Sequence, residues 1–145
     1  MSTLYVLFKV ADAEYALPAA DVLHMESYEG ATRVPGAPEY VAGLMQIRRR
    51  VIPVVDLRLR FGLPAVQPSL DSRVVVVQAG ERAVGLLADS AREVKHIPAE
   101  DFRPPPELIA QQSAGYVTKV ARAGARLLML IDFHKVIGEE VPVGQ

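Results

Sequence analysis

The 145-residue chain contains no cysteine. That excludes disulfides, thiolate metal ligands and a thiol nucleophile, and accords with a reducing compartment. No apolar run approaches the roughly 18 residues needed to cross a bilayer. Charged residues begin within ten positions of Met1, which leaves no room for a signal peptide. The expectation is a soluble, cytoplasmic protein with no direct membrane insertion. Neither sign of charge is in excess, because 16 basic and 17 acidic residues leave a formal charge of −1. A nucleic-acid binder is expected to be basic and to carry aromatic stacking platforms, and this chain is neutral with few aromatics. Glycine-rich phosphate loops, nucleophile elbows and zinc-protease patterns are missing. The histidines, His24, His96 and His134, lack metal-ligand spacing. No catalytic residue, metal or cofactor is therefore expected.

What is present is a duplication. Val51 to Gly62 reads VIPVVDLRLRFG and Leu127 to Gly138 reads LLMLIDFHKVIG, each an apolar strand, an Asp, a short helical pattern and a closing Gly. Asp56 and Asp132 stand at the N-cap, where a carboxylate accepts the free N–H groups of the first turn. They could be read as paired acids, but the capping role is sufficient for each. Leu57 and Phe61, like Phe133 and Ile137, fall at i and i+4 and give each helix one apolar face. Gly62 and Gly138 sit where a positive φ ends a helix at little steric cost.

The repeat extends further. Leu7 to Leu17 aligns without gaps on Val76 to Leu86 at an offset of roughly 69 residues, and the Asp motifs are offset by roughly 76. Gly43 to Arg48 and Gly115 to Val120 are weaker counterparts. Short alternating strands with regular turn signals predict an all-β protein of two similar lobes, each of about five strands, as small barrels or sandwiches. One short helix is predicted at Ala19 to Asp21 besides those after Asp56 and Asp132. Glu39 to Ala42 reads as a helical turn, and Ala99 to Ser113 as a long loop with a turn from Glu107. In the strand from Val22 to Tyr28, Val22, His24 and Glu26 share one face, with Leu23 and Met25 on the other.

The segments EYALPAADVLHMESY and TRVPGAPEYVAGLMQIRRRVIPVVDLRLRFG, followed by RAVGLLAD and AEDFRPPPEL, closely resemble the CheW-like coupling proteins of bacterial chemosensory systems. The resemblance covers nearly the whole chain and is most specific over GLMQIRRRVIPVVDLR. It implies a single domain, 1–145, of two five-stranded SH3-like barrels with a hydrophobic groove between them. The first lobe is expected at about 14–66 plus part of the termini, and the second at about 67–138. It also implies a non-enzymatic adaptor that ties the tips of methyl-accepting chemoreceptors to the regulatory domain of a CheA-like histidine kinase. Family partner-contact positions map onto Val22, His24, Arg48 and Val94. For Val22 and Val94 a plain core role is the competing reading.

Two departures stand out. His24 occupies the place of a common family Glu, and Gln46-Ile47-Arg48-Arg49 replaces Asn-Leu-Arg-Gly. Loss of that Glu removes a carboxylate able to pair with Arg48, so Arg48 is expected to face solvent or a partner. Loss of the Gly makes a positive-φ turn more costly. These changes suggest a divergent member, serving an alternative pathway of motility, biofilm or second-messenger output. The rival readings are a nucleic-acid-binding small barrel using the Arg48 to Arg50 run, and a small hydrolase using Asp56 or His24.

Overall fold

A computed structural model describes residues 2–138. The first hairpin, β1 (Ser2–Val10) and β2 (Ala13–Pro18), is followed by a 3-10 turn at Ala19–Asp21 and then β3 (Val22–Ser27). A second hairpin, β4 (Val41–Ile47) and β5 (Arg50–Asp56), runs into helix α1 (Leu57–Arg60). The second half repeats this plan with β6 (Arg73–Ala79), β7 (Arg82–Ala88) and β8 (Ser90–Pro98). After a 3-10 turn and the two-residue β9 (Phe102–Arg103) come helix α2 (Glu107–Gln112), β10 (Val117–Ala123), β11 (Arg126–Ile131) and α3 (Phe133–Ile137). The predicted helices at 19–21, after Asp56 and after Asp132 are all present. Tyr40, by contrast, ends a turn, and Val41 begins a strand because it pairs with Val55 and is buried in the core.

The strands form a five-stranded sheet in the order β3-β6-β7-β5-β4 and a six-stranded sheet in the order β8-β1-β2-β11-β10-β9. Corresponding strands of the two repeats occupy corresponding places. The parallel pair β5 with β7 in one sheet is matched by β11 with β2 in the other. The lobes nevertheless do not follow the expected division at about residue 66. Each repeat's opening hairpin sits in the middle of the sheet built by the other repeat, so 73–88 belongs with β3 to β5, and 2–18 with β8 to β11. The sequence pattern locates strands, but it carries no record of which sheet a hairpin completes.

Burial follows from this exchange. The largest apolar cluster joins Phe8, Val10 and Leu17 of one sheet to Val41, Val55, Val75 and Leu86 of the other, so it lies between the lobes. Each sheet also has a smaller core of its own, around Ile52, Val54 and Val76 in one and Tyr5, Leu7 and Leu128 in the other. Both faces of the central strands are thus covered, which explains near-continuous valine in β6.

The β4–β5 hairpin turns on Arg48 and Arg49, at φ +50° and +70°. A two-residue turn with both central residues left-handed strongly favours Asn-Gly, and an L side chain in that region costs about 1 kcal/mol or more. Arg49→Gly is expected to raise stability by about 0.5 to 1 kcal/mol, after allowing for the freer unfolded chain. A urea midpoint that does not rise would show that the arginines are held there by compensating contacts.

Candidate functional site

Edge strand β3 and the adjacent hairpin tip form the site. In β3 burial alternates as predicted, with Val22, His24 and Glu26 partly buried and Leu23 and Met25 exposed at 45% and 37%. The expected shared face does not hold for Val22. A bulge before His24 sets Val22 opposite Val77 and His24 opposite the adjacent Val76, so Val22 turns to the inter-lobe core and only His24 and Glu26 share a face. His24 lies opposite Val76 and Glu26 opposite Val74, both fully buried, so the two polar side chains rest at the rim of an apolar core. Glu26 Oε2 accepts from Arg48 Nε at 3.2 Å, and His24 Nδ1 lies 3.1 Å from the same oxygen. That second contact is close enough for an ion pair, but it is not aligned as a hydrogen bond, and Nδ1 is buried without a hydrogen-bond partner. Arg48 keeps 65% of its side chain exposed. Its predicted exposure therefore holds, whereas the predicted want of a carboxylate does not. Glu26, two residues beyond the expected place and on the same strand face, supplies it.

The remaining predicted residues divide. Val22 is partly buried and packs against the inter-lobe core. Val94, on β8 in the other sheet, is 49% exposed and pairs with Val6. Leu4 shares its face, diagonally placed and also exposed. The apolar residues that sequence reasoning left unassigned are therefore Leu23, Met25 and Leu4. For Leu23 and Met25 the signal is available, because they alternate with polar side chains on a strand that borders its sheet; Leu4, on the interior strand β1, carries no such signal. A separate apolar cleft of about 520 Å³ opens where the lobes meet on α1 and α2, lined by Tyr15, Phe61, Leu63, Ile109, Tyr116 and Met129. None of the four predicted contact residues lines it.

Both predicted caps are in place. Asp56 accepts the N–H groups of Arg58 at 2.9 Å and Leu59 at 3.4 Å, and Asp132 accepts that of His134 at 3.0 Å. Burial pushes the Asp56 carboxyl up, the two N–H groups partly offsetting it. Gly62 and Gly138 have positive φ as expected. Among the described residues no group of three or more His, Asp or Glu side chains is placed to hold a metal ion, and no helix is long and apolar enough to cross a membrane.

Polar ties fix the lobes relative to each other. Arg58 of α1 grips Asp89 with Nε at 3.0 Å from Oδ1 and Nη2 at 2.7 Å from Oδ2, while Asp89 Oδ2 accepts the N–H of Ala11 at 2.7 Å. One carboxylate thus joins the helix of one lobe to the β1–β2 turn of the other. Arg60 donates from Nε to the Val136 carbonyl at 2.6 Å and stacks on Tyr40, fastening α1 to the end of α3. Burial pushes the Asp89 carboxyl up, but the Arg58 guanidinium and the Ala11 N–H outweigh it and hold it below its ordinary value. The ionised form is therefore favoured by folding. This contribution is full above the unfolded value of about 3.9 and is lost as pH falls through the lower folded value. Asp89→Asn is expected to cost about 2 kcal/mol at pH 7, with wild type and variant converging below about pH 4. Urea titrations at pH 7 and pH 3 check this, and equal differences at both would remove Asp89 as the titrating tie.

A family model described as the CheW-like domain matches residues 4–141. The chain belongs to the CheW-like family. Chemotaxis protein CheW of Klebsiella aerogenes is 29% identical over 136 residues, spanning 94% of this chain and 82% of that protein. Chemotaxis protein CheW of Bacillus subtilis is 29% identical over 135 residues, covering 93% and 86%. The crystal structure of the scaffolding protein TtCheW from Thermoanaerobacter tengcongensis superposes with a TM-score of 0.89 at 29% identity over 99% of both chains. The two-lobed CheW-like fold is thereby established, and nothing in the structure or these relatives supports a nucleic-acid-binding reading. Of the basic run behind that reading, Arg48 and Arg49 are the turn of a β-hairpin, and Arg48 is paired with a carboxylate.

Proposed function

We propose that this chain is a non-enzymatic adaptor that couples methyl-accepting chemoreceptors to a CheA-type histidine kinase within a bacterial chemosensory array. The observation that carries the reading is the full-length likeness in fold to a scaffolding protein of the same family. The physical arrangement suits it. Two lobes locked by an exchanged hairpin and by the Arg58–Asp89 and Arg60–Val136 ties present bordering strands with exposed apolar residues. Edge strands and apolar surface are the means by which such domains take partner helices and sheets. Val22, His24 and Arg48 with Val94 are the partner contacts we assign, joined by Leu23, Met25 and Leu4 on the exposed faces. The receptor tip and the kinase regulatory domain are the partners, and the array's output belongs to an alternative pathway.

Arg48→Glu tests the site. At the fold level it removes an exposed pair, worth at most about 1 kcal/mol. At an interface it sets one carboxylate against another, and a loss of about 2 kcal/mol lowers affinity at least tenfold. Wild type is expected to retain both the isolated kinase regulatory domain and a receptor-tip fragment, and Arg48→Glu to lose at least one while melting normally. Retention of neither by wild type would end the adaptor reading. Unchanged affinity of the variant for both would remove Arg48 alone.

A further inference from the structure

His24, Glu26 and Arg48 share a single carboxylate oxygen. Oε2 of Glu26 accepts from the Arg48 guanidinium at 3.2 Å and stands 3.1 Å from His24 Nδ1, which has no hydrogen-bond partner and is shut off from water. Such a buried, unpaired nitrogen is costly, and it lies 3.1 Å from an oxygen that already accepts from a cation. With a neutral imidazole, Glu26 belongs to Arg48 alone. With an imidazolium, two cations compete for one oxygen and repel each other.

The groups facing His24 limit what else can interfere. On its own strand the charged neighbour on this face is Glu26, and from the β4–β5 hairpin it is Arg48. Strand β6 presents Val76 and Val74 here. Arg73, at the end of β6, is paired with Ser27 on the alternate face and donates to the carbonyls of Leu70 and Ser72.

We propose that His24 is a positioning residue acting through Glu26: its protonation loosens the hold of Glu26 on Arg48 and frees the guanidinium for a carboxylate on a partner protein. The inference rests on Arg48 being a partner contact, as assigned above. Histidine is suited to this because imidazoles change charge near neutral pH. The effect is modest, since exposed pairs are worth up to about fivefold in an equilibrium constant. Only this register of residues permits it: a Glu at 24 would hold the arginine without any proton dependence.

Two measurements separate the device from the reading beneath it. In the free protein, the NMR signal of the Arg48 Nε–H is followed from pH 8 to pH 5.5 in wild type and in His24→Gln. A shift in wild type that is abolished in the variant is expected, and an equal shift in both, or none in wild type, overturns the device. Affinity for the kinase regulatory domain is then measured at pH 8 and pH 6. Wild type is expected to bind about threefold tighter at pH 6 and His24→Gln equally at both, whereas the same pH dependence in both proteins overturns the proposal. Arg48→Ala binding as wild type at both pH values would show that Arg48 is no contact. That outcome removes the adaptor role of Arg48, and with it the consequence for partners, even where the NMR shift survives.

Discussion

Residues 1–66 and 67–145 produced as separate chains are each expected to be unfolded, and to regain a cooperative fold only when mixed. Removing the second half takes β6 and β7 out of the middle of the five-stranded sheet, leaving β3 without a neighbour and β4–β5 as a lone hairpin. An isolated hairpin is marginal at best in water. Removing the first half takes β1 and β2 from between β8 and β11 and strands β8 in the same way. The core losses run in parallel, because Val75, Val77, Val84 and Leu86 face Phe8, Val10, Leu17 and Val55 across the cut in one cluster. Far-UV circular dichroism and urea titration of each half, alone and at equimolar mixture, provide the check. A cooperative transition in either half by itself would mean that the exchanged hairpins are not what holds the lobes. For an adaptor the exchange has a further consequence. The lobes cannot separate without breaking both sheets, so surfaces on opposite lobes keep one geometry.

Much of this architecture is legible in the chain because its determinants are local. The Asp56 and Asp132 caps, the closing glycines and the alternation of β3 from His24 onward each depend on residues a few positions apart. The duplicated motif then fixes two similar sheets. The partition of strands between lobes depends on a pairing such as β5 with β7, where Val54 meets Gly85. No local preference encodes that choice, so a boundary at about residue 66 misses the exchange of the opening hairpins. The polar ties are equally distant in sequence. Within the six-stranded sheet Arg126 binds Glu14 across 112 positions and Glu93 across 33, and between the lobes the Asp89 contact to Ala11 spans 78.

The candidate site shows the same limit at closer range. The residue types at Val22, His24 and Arg48 are visible in the sequence, and so is the alternation that separates His24 and Glu26 from Met25, but the bulge that turns Val22 to the other face is not. The alternation places Glu26 on the face of His24, but nothing local links it to Arg48, which is 22 positions away. The link exists only once β3 and β4 flank the same core through β6, β7 and β5. Val94 fell outside any local test, since a valine on a strand is as suited to a core as to a surface. Its exposure of 49% is decided by the neighbour that β8 lacks on its outer side.

Gly43→Ala is expected to cost about 4 kcal/mol and to come close to abolishing the fold. Gly43 has φ +142°, a conformation that side-chain-bearing residues rarely adopt, at an irregularity in the pairing of β4 with β5. A Cβ there would lie 2.2 Å from the carbonyl oxygen of Thr32 and 2.6 Å from its carbon. Those atoms are backbone, held by reciprocal bonds in which Leu44 N–H donates to Thr32 at 2.8 Å and Thr32 N–H to Leu44 at 2.9 Å. They cannot swing aside as the tip of a side chain would. Overpacking of about 1 to 3 kcal/mol adds to backbone strain of similar size, against a total stability of about 5 to 15 kcal/mol for a domain. The bridge that would break also covers the outer border of β4, which otherwise offers unpaired groups to another strand. Loss of stability should therefore be accompanied by aggregation. Ala42→Gly, one position earlier in the same strand, supplies the comparison and is expected to cost only about 1 kcal/mol. Equal urea midpoints for the two variants would show that loop 28–38 yields to the added methyl, and that the close approach at Thr32 is not what requires glycine.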